Sequence, residues 1–290
     1  MKIRTGLLAL LVLVADLTLA APDAVVEGIQ MPAWVTRDGI RKPLGIGAEL
    51  RNEDRVSTGT NSRLLLRLGD GSMVKLGENG ELLLSNLVQR REENFLGATL
   101  RVLGGAFRFT TEAVARTRTR REVDVRFPTV TAGIRGTDIW GKNLGDREVV
   151  VLIEGQITVS RNGDAPVQMQ DPLTYLQAPQ GGPTSIAPVP MEQLALWAAE
   201  TEIAAGEGAV RRNGSWKLYL ASYDNQDDAL ALYDELRDAG YPARILPRPR
   251  EGGQEYRVRI AGFPSAQEAR ILGERLRTRI PGLDPVASRY

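Results

Sequence analysis

The 290-residue sequence contains no histidine and no cysteine. It therefore lacks the side chains that build most zinc sites, many nucleophile-base pairs and all disulfide frameworks. This absence excludes zinc amidase and cysteine peptidase chemistry, and the sequence predicts no metal site, no cofactor and no catalytic residue. Paired carboxylates of the glycosidase kind stay open, because 36 Asp and Glu residues are present and a sequence does not show their separation in space.

An excess of charge of either sign is also missing. The 37 Lys and Arg residues balance the 36 Asp and Glu residues, which leaves a net charge of +1. This balance gives the protein as a whole no attraction to nucleic acid or to an anionic membrane.

Long apolar runs are scarce, and the single one lies near the N-terminus. Two basic residues precede the apolar residues 7–15, and small residues follow at Ala20 and Ala21. This order is typical of a secretory signal peptide. We therefore predict a signal peptide over residues 1–21, with cleavage after Ala20 or Ala21, and no membrane span in the mature protein.

Residues 215–290 show the order strand, helix, strand, strand, helix, strand. The segments SWKLYLASY (215–223) and QEYRVRIAGF (254–263) alternate apolar and polar residues, as half-buried strands do. The two helices are predicted to begin after the capping residues Asn225 and Ser265, the second with a capping box. A short strand near 243–246 and a loop, PRPREGG, lie between the first helix and the third strand, and VASRY closes the sheet.

The alternation predicts one apolar and one polar face for this sheet. The predicted buried residues are Trp216, Leu218, Leu220, Tyr256, Val258 and Ile260. The predicted outer residues are Lys217, Tyr219, Ala221, Glu255, Arg257 and Arg259. Such a face can donate hydrogen bonds to sugar hydroxyl and acetamido groups and can cover an apolar sugar face with an aromatic ring. A merely solvated sheet face is the alternative interpretation.

The whole segment resembles a SPOR domain, the bacterial module that binds septal peptidoglycan. The resemblance lies in the aromatic-led first strand ending in Ala221, Ser222 and Tyr223, the Ala- and Leu-rich helix, and YRVRIAGF before a capped helix. It implies that the exposed face binds glycan strands stripped of their stem peptides. Ser222 and Arg257 match the serine and arginine of the family, whereas Tyr219 stands where the family has a glutamine.

The resulting candidate glycan-binding residues are Tyr219, Ser222, Arg257, Lys217 and Arg259. RNA-binding modules share the same order of elements, but they place two or three stacking aromatics on the central strands and carry a basic excess. Residues 213–290 hold 12 Lys or Arg against 11 Asp or Glu, so RNA is the weaker interpretation and we predict no nucleic-acid partner.

Residues 24–176 are predicted to form an all-β sandwich or roll. The segments RLLLRL (63–68) and MVKL (73–76) flank an Asp-Gly turn, which is a strong hairpin signal. VSTGTNSRLLLRLGDGSMVKL, LGGAFRF, FPTVTAGIRGTDIWG and VLIEGQITVS resemble a FecR domain. The family is known from membrane-spanning regulators that signal to a sigma factor. Because no spanning helix is predicted here, we expect an interaction or scaffold module instead.

Two smaller motifs lie within this region. In GIRGTDIW, we expect Gly136 to take a positive φ or to allow close backbone approach, and Thr137 and Asp138 to bond local backbone. A run of four arginines, Arg116, Arg118, Arg120 and Arg121, is interpreted as a solvated hairpin tip. The alternative is a docking surface for an acidic partner or for stem-peptide carboxylates.

Residues 177–214 are predicted to form a linker with one short helix. The stretch 177–190 is rich in Pro, Gly and Gln. The helix follows in MEQLALWAAETEIAA, and we expect Trp197 to pack on the β domain because an exposed Trp is unfavourable. The chain after this helix is expected to flex.

The sequence therefore predicts a non-enzymatic, peptidoglycan-binding protein of the periplasm, with an all-β FecR-like domain before a SPOR-like domain. Its predicted partners are glycan strands and an envelope protein bound through the FecR-like domain, and the resemblance points to the division septum. One alternative is a periplasmic sensor in which the FecR-like domain carries the function. The other is a cryptic glycan hydrolase.

Overall fold

The computed structural model describes residues 23–90, 93–111 and 120–289. These residues form 23 strands and three helices. The predicted signal peptide lies outside the described residues, and so do Arg116 and Arg118 of the arginine run. None of the helices in the described ranges combines the length and hydropathy that crossing a bilayer requires.

The β domain is a two-sheet sandwich. Its strands are β1 (Ala24–Gln30), β2 (Ala33–Arg37), β3 (Ile40–Pro43), β4 (Glu49–Leu50), β5 (Arg55–Thr58), β6 (Arg63–Leu68), β7 (Met73–Leu76), β8 (Glu81–Arg90), β9 (Phe95–Gly104), β10 (Ala106–Thr110), β11 (Arg120–Arg126), β12 (Val130–Ile134), β13 (Asp138–Asn143), β14 (Arg147–Glu154), β15 (Ile157–Arg161), β16 (Val167–Met169), β17 (Thr174–Pro179) and β18 (Ser185–Pro188).

The strands divide between two sheets. The first has the order β18-β17-β14-β13-β10-β7-β6-β1 and continues into β19 (Val210–Arg211), with β4 also paired to β1. The second has the order β16-β15-β12-β11-β9-β8-β5-β2-β3. β9 and β11 are parallel, whereas the other pairs in the described residues are antiparallel. Apolar side chains from alternate strand positions fill the space between the sheets.

The hairpin of β6 and β7 shows how the sequence specifies this sandwich. Alternation buries Leu64, Leu66 and Leu68 on one face of β6. In the connecting turn, the backbone N–H of Ser72 donates to Asp70 Oδ1 at 2.9 Å, and Gly71 has a φ of 91°. Both strands lie where the sequence predicts them.

The C-terminal domain forms the predicted α+β unit. It consists of β20 (Trp216–Tyr223), α2 (Gln226–Asp238), β21 (Arg244–Arg250), β22 (Gly253–Phe263), α3 (Ala266–Arg279) and β23 (Val286–Arg289), after a first helix α1 (Met191–Thr201). The sheet order is β21-β22-β20-β23, and all its pairs are antiparallel. The predicted fold class, a β sandwich followed by a βαββαβ domain, is confirmed.

Both helices of this domain begin at the predicted caps. Asn225 accepts a hydrogen bond from the backbone N–H of Asp228 at 2.9 Å, and Ser265 accepts one from the N–H of Glu268 at 3.2 Å. The capping box is incomplete, because the Glu268 carboxylate faces the preceding segment instead. It accepts from the N–H groups of Gly206 at 2.6 Å and Ala209 at 3.0 Å.

Residues 177–214 contain the predicted helix, α1, but the rest of the segment differs from the flexible linker that its composition predicts. β17 and β18 extend the first sheet at one end, and β19 pairs with β1 at the other. The reason is that Pro and Gly are tolerated at a sheet edge, where a missing N–H breaks no ladder. Trp197 of α1 packs on the β domain as predicted, stacked on Trp140 with ring centroids 5.0 Å apart.

Candidate functional site

The five candidate residues lie on one face of the C-terminal sheet. Tyr219 of β20 pairs with Arg259 of β22, and Ser222 pairs with Arg257. Residues directly opposite each other on paired strands point to the same side of a sheet. Lys217, opposite Ala261, shares that side, which faces away from the helices and the core. We call these five residues the glycan face, after the ligand that the sequence predicts for them.

A β-bulge in β20 brings Ser222 to the glycan face. The pairing register shifts between Tyr219 and Ala221, so that one extra residue, Leu220, is accommodated. Strict alternation would place Ser222 on the same side as Leu218 and Leu220, which are fully buried. The bulge exchanges the two sides, as bulges beside functional sites often do.

The same bulge corrects the expectation for Ala221. Ala221 pairs with the buried Val258 and packs on the core side, not on the outer side. Tyr223 and Tyr256 also pair with each other and pack against the core. The signal that was missed is the register shift itself, which depends on the partner strand and is not encoded in the alternation of β20.

Glu255 fixes the position of Arg257. The guanidinium Nε donates to the Glu255 Oε2 at 2.6 Å, from two residues along the same strand face. This hydrogen bond is the main reason that the pKa of Glu255 lies below its ordinary value, and a smaller contribution comes from the Ser222 hydroxyl. The same bond raises the pKa of Arg257. Sequence reasoning placed Glu255 on this face but gave it no role.

Tyr219 lies at the centre of the cationic side chains. The Lys217 Nζ is 5.5 Å from the centroid of the Tyr219 ring, and the Arg257 Cζ is 5.6 Å from it. Both distances are within the range of cation–π attraction. The ring and its two cations therefore lie side by side and offer an aromatic ring together with several N–H donors.

Strand β21 enlarges the glycan face beyond the prediction. Residues 247–250 of the predicted loop PRPREGG instead belong to β21, which continues to Arg250 and leaves only a short turn before β22. Pro247 and Pro249 are compatible with a strand here because β21 is the edge of the sheet. Through its pairing with β22, the outer side of β21 adds Arg244, Leu246 and Arg248 beside Arg259, Arg257 and Glu255.

In the GIRGTDIW motif, the described contacts differ in part from those predicted. Gly136 has the expected positive φ of 86°, but Asp138 does not bond local backbone. Instead, Arg108 of β10 donates two hydrogen bonds to its carboxylate, from Nε at 2.9 Å and from Nη2 at 2.7 Å. Among the described residues, the buried Thr137 hydroxyl has no hydrogen-bond partner, which also corrects the prediction.

The arginine run is not simply a solvated tip. Arg121 points into the sandwich, where its Nε donates to Asp70 Oδ2 at 2.6 Å. The exposed fractions of the two side chains are 2% and 1%. The cause is alternation in β11, which directs Arg121 inward while Arg120 and Glu122 remain outside. Within the described part of the chain, no three Asp or Glu side chains gather as a metal site would require.

Comparisons with known proteins agree with this architecture. Residues 213–289 match the family model of the SPOR domain, and residues 54–158 match that of the FecR protein. The chain therefore carries these two domains in the predicted order. A SPOR domain indicates peptidoglycan binding. Both domains are binding or regulatory modules rather than catalytic ones, and both are typical of envelope or periplasmic proteins.

No curated protein sequence matches the chain. Two crystal structures of a protein from Parabacteroides distasonis, provisionally assigned as an anti-sigma factor, are similar to it at 12% identity and a TM-score of 0.40. One match covers 64% of this chain and 75% of that protein, and the other covers 81% and 98%. A similarity at this TM-score does not establish a shared fold or function.

Proposed function

We propose that this chain is a non-enzymatic periplasmic protein whose SPOR domain holds denuded peptidoglycan strands on the glycan face. The observation that carries the proposal is the register of β20 and β22. It places the five polar side chains together, on the side of the sheet opposite the packed helices. A purely structural sheet surface has no need of the bulge that turns Ser222 outward.

The charge of this surface supports a denuded strand as ligand. Lys217 lies beside three further cations, Arg257 and Arg259 of β22 and Arg244 of β21. Glu255 is the acidic residue among them. Removal of a stem peptide by an amidase breaks an amide bond and leaves a carboxylate on the sugar. Charge-assisted hydrogen bonds from guanidinium groups to carboxylates are stronger than neutral ones. A denuded strand therefore gains contacts that a peptide-bearing strand does not offer.

We propose a division of labour between the two domains, with a boundary near residue 215. The SPOR domain attaches the chain to peptidoglycan at the division septum, and the FecR domain binds an envelope protein. This assignment is supported by the structural roles of Gly136 and Asp138, which leave no catalytic arrangement in the FecR motif. Peptidoglycan zymography tests the non-enzymatic part, since a clearing band at the position of this protein would overturn it.

Sedimentation of the purified protein with sacculi, before and after amidase treatment, tests the glycan face. We expect stronger binding after treatment and a loss of roughly tenfold or more in the variant Arg257→Ala, because hydrogen bonds to a charged group contribute about 1.5–3 kcal/mol. The matched control is Arg277→Ala, which removes an exposed, ion-paired arginine from α3 on the other side of the sheet. Native-like affinity of the folded triple variant Tyr219→Ala, Ser222→Ala, Arg257→Ala for amidase-treated sacculi would contradict the proposal.

A further inference from the structure

The outer face of the second sheet carries a groove that the proposed function does not use. It crosses strands β8, β9, β11, β12, β15 and β16 and has a volume of about 830 Å³. Ligand sites of proteins typically have volumes of about 300–1,000 Å³. Its lining combines small residues, among them Gly97 and Gly133, with carboxylate, guanidinium and amide side chains and the Phe95 ring, which is the composition of a recognition site rather than of a packing defect.

The glycine in the centre of the floor is unexplained by the fold. Gly133 lies within β12, between Asp124 of β11 and Thr158 of β15. A Cβ atom added there would meet nothing closer than the Thr158 backbone oxygen at 3.7 Å, and its backbone does not have a positive φ. Glycine weakens the interior of a strand and often marks a position where a ligand approaches closely. By contrast, Gly97 makes room for the Phe95 ring, 3.2 Å from an added Cβ.

The walls are polar: their two carboxylates are paired with arginines, and Arg135 adds a further guanidinium group to the lining. Glu122 accepts a hydrogen bond from Arg120 at 2.8 Å, and Asp124 accepts one from Arg126 at 3.0 Å. At the far end, the amide of Gln170 donates to that of Gln168 at 2.9 Å. Because each ion pair is neutral as a unit and keeps free donor and acceptor atoms, these pairs attract neither a cation nor an anion, and they suit a polar, uncharged ligand.

The backbone beneath the groove restricts the ligand further. Strands β9, β11, β12 and β15 are each paired on both sides, so their N–H and C=O groups are used within the sheet. An extended peptide is usually bound by adding its backbone to an open strand edge, which this floor does not offer. Hydroxyl groups, which donate and accept, are instead well matched by amide, carboxylate and guanidinium side chains.

We propose that this groove binds an uncharged saccharide segment and is a second glycan site, independent of the SPOR domain. This inference rests on the proposed function in one respect, namely that peptidoglycan is the glycan near the protein. The two wall carboxylates, each held by an arginine, take part in binding and not in cleavage in this proposal. One chain thereby holds two glycan segments, through a cationic face on one domain and a polar groove on the other.

The test uses a β-1,4-linked N-acetylglucosamine hexamer, titrated calorimetrically into the purified triple variant Tyr219→Ala, Ser222→Ala, Arg257→Ala. This background removes the glycan face, so its loss of affinity for amidase-treated sacculi relative to the native protein tests the proposed function separately. Adding Gly133→Leu fills the floor and is expected to weaken hexamer binding by tenfold or more. The matched control, Gly181→Leu, adds the same side chain at an exposed glycine without a positive φ and with no atom within 4 Å of the new Cβ. This control is expected to leave the hexamer affinity unchanged.

A second variant, Gln168→Ala with Gln170→Ala, removes two exposed wall amides and keeps the proposal testable if Gly133→Leu lowers the melting temperature. It is expected to weaken binding by roughly fivefold. Equal hexamer affinity with and without Gly133→Leu in folded protein overturns the proposal, as does the absence of saturable binding in the triple variant. Preferential binding of released stem peptides would overturn a saccharide as the ligand. Cleavage of the hexamer would overturn the non-catalytic role.

Discussion

Arg257 is fixed from two directions on the glycan face, and this determines which of its atoms a ligand can use. Its Nε donates to Glu255 at 2.6 Å, and its guanidinium Cζ lies 5.6 Å from the centroid of the Tyr219 ring. A side chain that is held before binding loses less conformational entropy when it binds. Glu255 therefore acts as a positioning residue, although it contributes an unfavourable charge toward a carboxylate ligand.

Tyr219 distinguishes this face from its relatives, since the family resemblance places a glutamine there. Tyr219→Gln replaces a ring that lies beside Lys217 and Arg257 with an amide. If the ring stacks on sugar, we expect several-fold weaker binding to amidase-treated sacculi. Binding equal to or tighter than that of the native protein would show that hydrogen bonding dominates at this position. Leu220→Ala, on the buried side, provides the contrast, with a stability loss of about 2–5 kcal/mol.

The Glu255–Arg257 pair predicts how binding depends on pH. The pKa of Glu255 is lowered in the folded protein by its hydrogen bond from Arg257, so the pair is present above the ordinary Glu value of about 4.3 and is lost as pH falls through the lowered pKa. We expect sacculus binding to show no transition from this pair between pH 5 and 8 and to change below about pH 4.

Comparison with Glu255→Gln isolates this effect from the titration of other carboxylates. The variant cannot ionise at position 255, so the component of the low-pH change due to the pair should disappear. Identical pH profiles of sacculus binding for the native protein and the variant below pH 5 would show that Glu255 does not position Arg257 for binding.

At the level of elements, local pattern was sufficient wherever one face of a strand is buried. β6 and β7 lie at the predicted residues because leucines alternate and the Asp-Gly turn fixes the register. The helices α2 and α3 begin at Asn225 and Ser265 for the equally local reason that these side chains cap them. Composition is a weaker guide, since it predicts loops for two Pro-containing segments that the structure shows as edge strands, β18 and β21.

What could not be predicted depends on partners distant in sequence. The bulge that turns Ser222 outward is defined by the register with β22, about 35 residues away. The burial of Arg121 depends on Asp70, which precedes it by 51 residues. Neither partner is identifiable from a single sequence, because each local segment is equally compatible with an exposed arginine or a regular strand.

The helix α1 is expected to depend on Trp197 for its attachment to the first sheet. Trp197 stacks on Trp140 and contacts Tyr175 edge-on, with ring centroids 5.7 Å apart. Trp197→Ala should destabilise the protein by roughly 2 kcal/mol or more, below the 3–5 kcal/mol typical of a fully buried Trp, because the side chain is half-buried. Thermal unfolding measures this loss.

Leu196→Ala is the matched control for that helix, because Leu196 is the preceding residue and is 63% exposed. Its effect should stay within about 0.5 kcal/mol. Equal melting temperatures of the Trp197→Ala variant and the native protein would mean that the stack does not hold the helix.

At the scale of the whole molecule, the two domains share one connected set of apolar contacts. The core residues of the sandwich and those of the C-terminal domain belong to the same buried cluster. The backbone N–H of Ala33 donates to the carbonyl of Gly240 at 3.3 Å, and β19 joins the first sheet just before β20 begins. Residues of both domains therefore form the contact between them, whereas composition predicts a linker at this point.

Glu268 is the residue on which this connection depends most directly. Its carboxylate is buried and accepts hydrogen bonds from Gly206 and Ala209, so Glu268→Ala leaves two N–H groups without their acceptor, at about 1–3 kcal/mol for each buried one. We expect the native protein to resist a protease of broad specificity throughout residues 177–214, whereas Glu268→Ala is cut near 203–209. Glu274→Ala, which removes a 64% exposed carboxylate from the same helix, should behave like the native protein. Rapid cleavage of the native chain within 203–209 would show instead that the segment is the flexible linker that its composition predicts.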